Sequence, residues 1–401
     1  MPNSQALTYK QEKSLIHALF FAFGVGIMAW VPRFPEVKES LGLANGAFGT
    51  LMSTGAIGAF VGLLITGHVV HRIGLYKVAN YAIVSIFGGL ALIVHLHSSF
   101  SFLLCNIAIG FGVTSMHVSV NSQAFQTQER SGENLVTSSS GFWAAGALST
   151  AILSGFLVGR VPLAVHIDVI AVIVYLTMVA LLLKLKPAMA PAKKRGAEDV
   201  KLREIFTSFH FDWRVSIAML GVSYLEFWIG DWGTIFTKER LHIDSGVSTI
   251  PYTIFLAVMI VVRISVEKLS KIKPIYYWVR RGTLVSGIGF GTLIAIAVNI
   301  PATMHALSFA LFIAAFVVAA LGMAMAGPTI MAAGARRSPH ANAVAVGQTG
   351  VVNNVSSFIT KFIVAWTIQF RHSIAASVVI PVALIIAASF FAHVTKEEAA
   401  K

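Results

Sequence analysis

The chain has 401 residues, 56% of them hydrophobic and only 12% charged, with a formal net charge of +13 and a mean hydropathy of +0.77. Soluble domains carry about 25% charged residues, so a water-facing globule is excluded and the uncovered apolar surface must face lipid. The positive charge does not signal a nucleic-acid partner, because the lysines and arginines are spread over many short connections instead of one patch.

A bilayer-crossing helix needs roughly 20 mostly apolar residues, and by that ruler the chain holds about twelve. Residues 1–13 are polar and mildly basic. They lead straight into a first span at 14–32, which reads as a retained helix and not a cleaved signal. Arg33, between Pro32 and Pro35, is expected to cap the outer end of that span. Further spans are expected at 47–66, 78–97, 100–125, 136–159 and 162–184. The single cysteine, Cys105, sits in an apolar run, which excludes a disulfide framework. Residues 186–211 turn polar, basic and Pro-containing and separate two sets of six spans. The second set is expected at 213–236, 247–266, 282–300, 303–330, 342–368 and 373–395, followed by a polar C-terminus at 396–401. The runs are continuously apolar, not alternating as in a closed β-barrel. The expected fold is therefore all-α and membrane-embedded, as two six-helix bundles at 14–185 and 212–395.

Placing both termini on one side puts 22 of the 30 lysines and arginines on that side and 6 on the other, with Arg263 and Lys361 inside spans. The basic side is expected to be cytoplasmic.

Twelve spans in two sixes with a basic central connection resemble the Major Facilitator Superfamily. The stretch Gly67-His-Val-Val-His71-Arg72-Ile-Gly74 is similar to that superfamily's Gly-x-x-x-Asp-Arg-x-Gly loop, with His71 in the acidic position. Its glycines suit a tight turn and its arginine offers a fork of donors. A degraded second copy, Arg263-Ile-Ser-Val-Glu267-Lys268, is expected to close the eighth span. Trp30-Val-Pro32-Arg33-Phe-Pro35, Asn121 and Glu226 with Asp231-Trp232 are further similar to the YbjJ-like inner-membrane branch. The resemblance implies a transporter in which two bundles alternate access to a central solute site. The drive is usually a proton or another ion gradient.

Ionisable groups in hydrocarbon cost at least ~2.5–3.5 kcal/mol on insertion scales, so each needs a reason. Glu226, about 20 Å into span seven, is expected to bind either a proton or substrate, or else to hydrogen-bond between bundles. Asp231 is expected near the outer end beside Gly230 and Gly233, either exposed or capping a gate. Those glycines would let the helix end unwind, as in discontinuous transporter helices. His117 and Asn121 share a helix face, and histidine titrates near neutral pH. Solute contact, helix–helix hydrogen bonding and packing all remain open for the pair.

Lys361 either snorkels, pairs with Glu226 or meets an anionic solute. Gln348, Asn353 and Asn354 would add polar lining. Asp168 reads as an interfacial residue. Trp30, Trp143, Tyr224, Trp228 and Trp232 would anchor at interfaces or stack on sugar rings.

No Gly-x4-Gly-Lys-Ser/Thr stretch occurs, which disfavours an ATP-driven pump, and no H-x-x-x-H or H-E-x-x-H pattern supports a metal. No cofactor is expected. An embedded enzyme would need a clustered polar set, whereas these residues scatter over several spans. The expected activity is secondary transport of a small, sugar-like or other polar solute, with H+ as coupling ion, by a monomer in the inner membrane. Export of amphipathic compounds and a non-translocating receptor remain alternatives.

Overall fold

The computed structural model describes residues 7–131, 135–189, 211–243, 246–338 and 342–396. It does so without the side chains of His71, Thr137, Glu267, Ala302, Ala335 and 342–347. Among the described residues the chain is helical, and eleven stretches are long and apolar enough to cross a membrane. A twelfth helix, Trp213–Leu241, has 29 residues, or about 43 Å. Composition sets it apart, because it carries Glu226, Asp231 and several tryptophans and glycines.

In chain order the helices are α1 Tyr9–Met28, α2 Phe34–Ser40, α3 Asn45–Ser53, α4 Gly55–Ile73, α5 Leu75–Ile93, α6 Ser99–Ser131, α7 Leu135–Leu157 and α8 Leu163–Leu185. They continue as α9 Trp213–Leu241, α10 Ile250–Ile272, α11 Ile275–Asn299, α12 His305–Met323, α13 Ala326–Arg337, α14 Asn342–Arg371, α15 Ile374–Ser377 and α16 Val379–Phe391. The twelve expected spans are all helical. Much of the basic connection, 190–210, lies outside the described residues.

The chain forms two compact units, Met1–Arg33 with Thr54–Lys201 and Phe34–Ser53 with Leu202–Lys401. In the first, α1 packs on α7 and α8, α6 packs on α4 and α5, and α5 also meets α8. The Thr8 hydroxyl accepts from the Gln11 backbone while the Gln11 side chain accepts from the Thr8 N–H, closing both ends of a capping box that starts α1. A Cβ on Gly24 would lie 2.1 Å from the Trp143 carbonyl, so α1 and α7 approach as closely as small-residue membrane helices do.

The second unit is built around α9, which packs against α10, α12, α13, α14 and α16, with α11 against α12 and α16. Asp212 caps α9 by accepting from the backbone N–H groups of Arg214 and Val215. The short helices α2 and α3 belong to this unit and lie on α9 and α14 respectively.

The stretch expected as a loop at Gly67–Gly74 is mostly helix: α4 runs to Ile73. Only Gly74 makes the turn, at φ +87° and ψ 153°, a region essentially confined to glycine. With nothing near it, Gly67 is an ordinary helical residue, Arg72 is exposed, and the His71 side chain lies outside the described residues. The expected unwinding at Gly230 and Gly233 does not occur either. Intrahelical bonding carries α9 unbroken to Leu241, because a glycine lowers helix propensity by only ~1 kcal/mol and packing on several neighbours outweighs that.

Candidate functional site

Glu226 lies at the middle of α9, whose extension to Leu241 moves the helix centre onto it. Asp231 follows five residues later, about 140° round the helix. Both carboxylates have cationic partners on other helices of the same unit.

Glu226 Oε1 faces Arg263 Nη2 of α10 at 3.6 Å, with both side chains well exposed, at 40% and 35%. The contact is an ion pair beyond hydrogen-bond reach. Arg263 commits its Nε elsewhere, donating to the carbonyl of Ala324 at 3.2 Å. That carbonyl is available for a definite reason. The residue four positions on is Pro328, which has no N–H to complete the helical ladder. The chain breaks there between α12 and α13. Arg263 was expected to end a helix beside a gating loop. It instead lies mid-helix, because α10 continues to Ile272. The side chain of its motif partner Glu267 lies outside the described residues.

Asp231 Oδ2 pairs with Lys361 Nζ of α14 at 2.6 Å, and the two side chains are only 19% and 20% exposed. Lys361 therefore pairs with Asp231, not Glu226, and Asp231 is held in an ion pair instead of being exposed. The Lys361 ammonium also lies 4.9 Å from the centre of the Phe227 ring, where a cation is attracted to the π face. Tyr252, near the start of α10, is buried. Tyr224 of α9 donates its hydroxyl to the Thr360 carbonyl at 3.2 Å, next to Lys361. This unit thus gathers two acids, two bases and a phenol on α9, α10 and α14.

Other expected residues stand apart from that cluster. Gln348 is buried beside Asp212, Ser216 and Gly334 in a small crevice at the start of α9. Asn354 is turned onto its own helix, donating to the Gly350 carbonyl at 2.9 Å, and Asn353 has a buried, unpartnered Oδ1. In the other unit, Asn121 donates to the His117 carbonyl at 2.8 Å, while the His117 ring meets Phe23 edge-on at 4.7 Å. Asp168 pairs with His95 at 2.8 Å.

Arg33 is almost fully buried and donates to the Val161 carbonyl at 2.7 Å, tying a 3-10 turn at Val31–Arg33 to the turn before α8. Tyr224, Trp228 and Trp232 are core residues, not interfacial anchors: Trp228 is fully buried and donates to Ser377 at 3.0 Å. They turn inward because α9 is the helix the rest of the unit packs around.

A further polar feature carries a signal in the sequence. The dipeptide Lys-Glu occurs at 38–39 and again at 238–239. Lys38 of α2 pairs with Glu239 of α9, and Lys238 pairs in return with Glu39 at 2.7 Å. Asn45 Nδ2 adds a bond to Glu239 at 3.2 Å, and the Gly46 N–H donates to Gln369 of α14 at 3.1 Å. Opposed segments carrying the same dipeptide can cross-pair only if they meet antiparallel, a condition that needs the fold to be known. No group of three or more histidine, cysteine or acidic residues placed to hold a metal occurs among the described residues.

The profile of the Major Facilitator Superfamily matches residues 16–360. An uncharacterised MFS-type transporter of Yersinia pestis is 24% identical over 290 residues, 72% of each chain. The crystal structure of a D-xylose-proton symporter superposes with a TM-score of 0.71 at 15% identity, over 96% of this chain and 97% of that one. The nucleoside transporter NupG also superposes with a TM-score of 0.71, at 12% identity, over 96% of this chain and all of the other. Twelve long helices, six in each unit among the described residues, agree with this match over most of the length. The chain belongs to the Major Facilitator Superfamily and is a membrane transporter, not an enzyme.

Proposed function

We propose that the protein is a secondary active transporter that moves a small polar solute by alternating access, with Glu226 taking up and releasing the coupling proton. The observation that carries this reading is the contrast between the two ion pairs. Asp231 and Lys361 are in close contact and largely buried, a fixed arrangement. Glu226 stands 3.6 Å from an arginine whose Nε is held by a backbone carbonyl. Its carboxyl is therefore able to gain a proton without dismantling the helix contact that holds Arg263.

The solute reading is sugar-like or nucleoside-like. Two proteins of the same fold carry D-xylose and nucleosides by name, and the hydroxyls of such solutes suit the carboxylates and the phenol of the site. Lys and Arg accumulate on the cytoplasmic side of membrane proteins, which supports an inner-membrane protein with both termini inside. The transporter works as a monomer.

Uptake into proteoliposomes with an imposed pH gradient tests the reading. The panel holds labelled pentoses, hexoses, nucleosides and an amphipathic cation. A sugar or nucleoside is expected to accumulate with the gradient, and Glu226→Gln to abolish the response while binding persists. Uptake by Glu226→Gln that still follows the gradient refutes the coupling assignment. Movement of the amphipathic cation alone refutes the solute class.

A further inference from the structure

Each unit carries an acid at the opening of its first span and an arginine at the close of its fourth. In the first unit these are Glu12, in the first turn of α1, and Arg130, in the last turn of α6. In the second they are Asp212, the N-cap of α9, and Arg337, the last residue of α13. The partners are 118 and 125 residues apart in sequence, and both pairs are closed: Arg130 Nη2 lies 2.7 Å from Glu12, and Arg337 Nε 2.8 Å from Asp212. In both, the carboxylate is the more buried partner, at 5% and 17% exposure against 59% and 35% for the arginines. The placement suits the helices, because an acid at an N-terminus and a base at a C-terminus each meet the favourable end of a helix dipole.

Each pair also holds one end of the basic connection. Gln123, Thr127 and Arg130 recur at turn spacing on one face of α6, and all three donate to the Glu12 carboxylate. Gln123 Nε2, 2.8 Å from Glu12, also donates to the Ala188 carbonyl at 3.2 Å. Ala188 closes the 3-10 turn Lys186–Ala188 that follows α8 and begins the connection. The other end of the connection meets Asp212, whose carboxylate accepts from the Arg214 and Val215 N–H groups and from Arg337.

We infer that the two pairs are one conformational device used twice. Each clamps the opening of its unit's first span to the close of its fourth, and so fixes one end of the connection, at Ala188 or at Asp212. A pull along the connection is borne by α6 and α13, not by α8 and α9 alone. A surface ion pair by itself contributes little. Glu12 differs, because an almost fully buried carboxylate with three donors is costly to leave unmatched. The opening turn of α1, the closing turn of α6 and the turn after α8 therefore loosen together.

Hydrogen–deuterium exchange of the full chain in detergent, followed by mass spectrometry, tests this, because amide exchange reads local opening. Glu12→Gln is expected to speed exchange at 9–13, 124–131 and 186–189 together. Each should rise at least about tenfold, or about 1.4 kcal/mol of opening, with 212–216 unchanged. Gln123→Leu, which keeps the Glu12–Arg130 pair, should speed 186–189 more than 9–13. Arg337→Gln should speed 212–216 and leave 186–189 unchanged. Asp168→Asn removes an ion pair elsewhere on α8 and, as the control, should change neither. Unchanged exchange at 186–189 in Glu12→Gln and Gln123→Leu overturns the proposal, and so does unchanged exchange at 212–216 in Arg337→Gln. A rise spread evenly over the first unit in Glu12→Gln also overturns it, as does an equal rise at 186–189 in Asp168→Asn, because general loosening then explains the effect.

Discussion

Replacing Lys361 by Met leaves the Asp231 carboxylate in a largely buried setting with no counter-charge. Two unit charges 2.6 Å apart attract by about 6 kcal/mol at an effective dielectric of 20. Part of that attraction offsets the cost of removing both ions from water, and losing one partner of a buried pair typically costs ~3–5 kcal/mol. Both side chains keep about a fifth of their exposure, so the lower end, about 3 kcal/mol, applies. For a unit of this size, each kcal/mol moves the melting temperature by roughly 2–4 °C. Lys361→Met is therefore expected to melt about 6–12 °C lower, measured by thermal unfolding in detergent. Asp231→Asn restores the balance, so the double variant should melt above Lys361→Met, with a coupling of about 2 kcal/mol in the mutant cycle. Additive losses in the double variant would refute direct pairing, and so would an unchanged melting temperature in Lys361→Met.

Gly74→Ala places a Cβ at φ +87° and should cost ~1–3 kcal/mol, read as a lower melting temperature; an unshifted transition would rule out the turn described. At the start of α9, burial of the Asp212 carboxyl opposes its ionisation. Its hydrogen bond to Arg337, the backbone donors of Val215 and Arg214 and the guanidinium charge outweigh that effect and hold the acid below the usual carboxylate range. A depressed value means that stability is present above the unfolded value near 3.9 and is lost as pH falls through the lower folded one. Arg337→Gln should accordingly melt below wild type at pH 7, by about 1 kcal/mol for this partly exposed pair, with the gap closing under acid titration below about pH 4. Lys38→Glu is expected to weaken the tie to α9 by up to about 1 kcal/mol and the swap Lys38→Glu with Glu239→Lys to restore it.

The span pattern was legible because hydrocarbon imposes one length and one composition on every crossing helix. Glu226 and Asp231 stood out by the same rule, since a carboxylate in an apolar run is costly. Their partners did not. Lys361 was within reach of either acid on the basis of depth alone, and only the rotation of α14 against α9 decides for Asp231. Arg263 is expected near the end of the eighth span, whereas the continuation of α10 to Ile272 places it mid-helix beside Glu226. Tyr252 carried no signal, because a tyrosine after Pro251 is unremarkable until α10 is packed on α9. The repeated Lys-Glu dipeptide was visible, but its meaning depends on two distant segments running in opposite directions.

The missing amide hydrogen of Pro328 reaches further than the helix break it causes. It leaves a carbonyl that recruits the Arg263 guanidinium and so sets how much of that positive charge Glu226 feels. A replacement at Pro328 that supplied an N–H would restore the ladder and free the arginine to close on the carboxylate. A position that looks purely conformational would then act as a dial on ion coupling, and loss of gradient sensitivity in such a variant would trace to an altered electrostatic field, not to a damaged binding pocket.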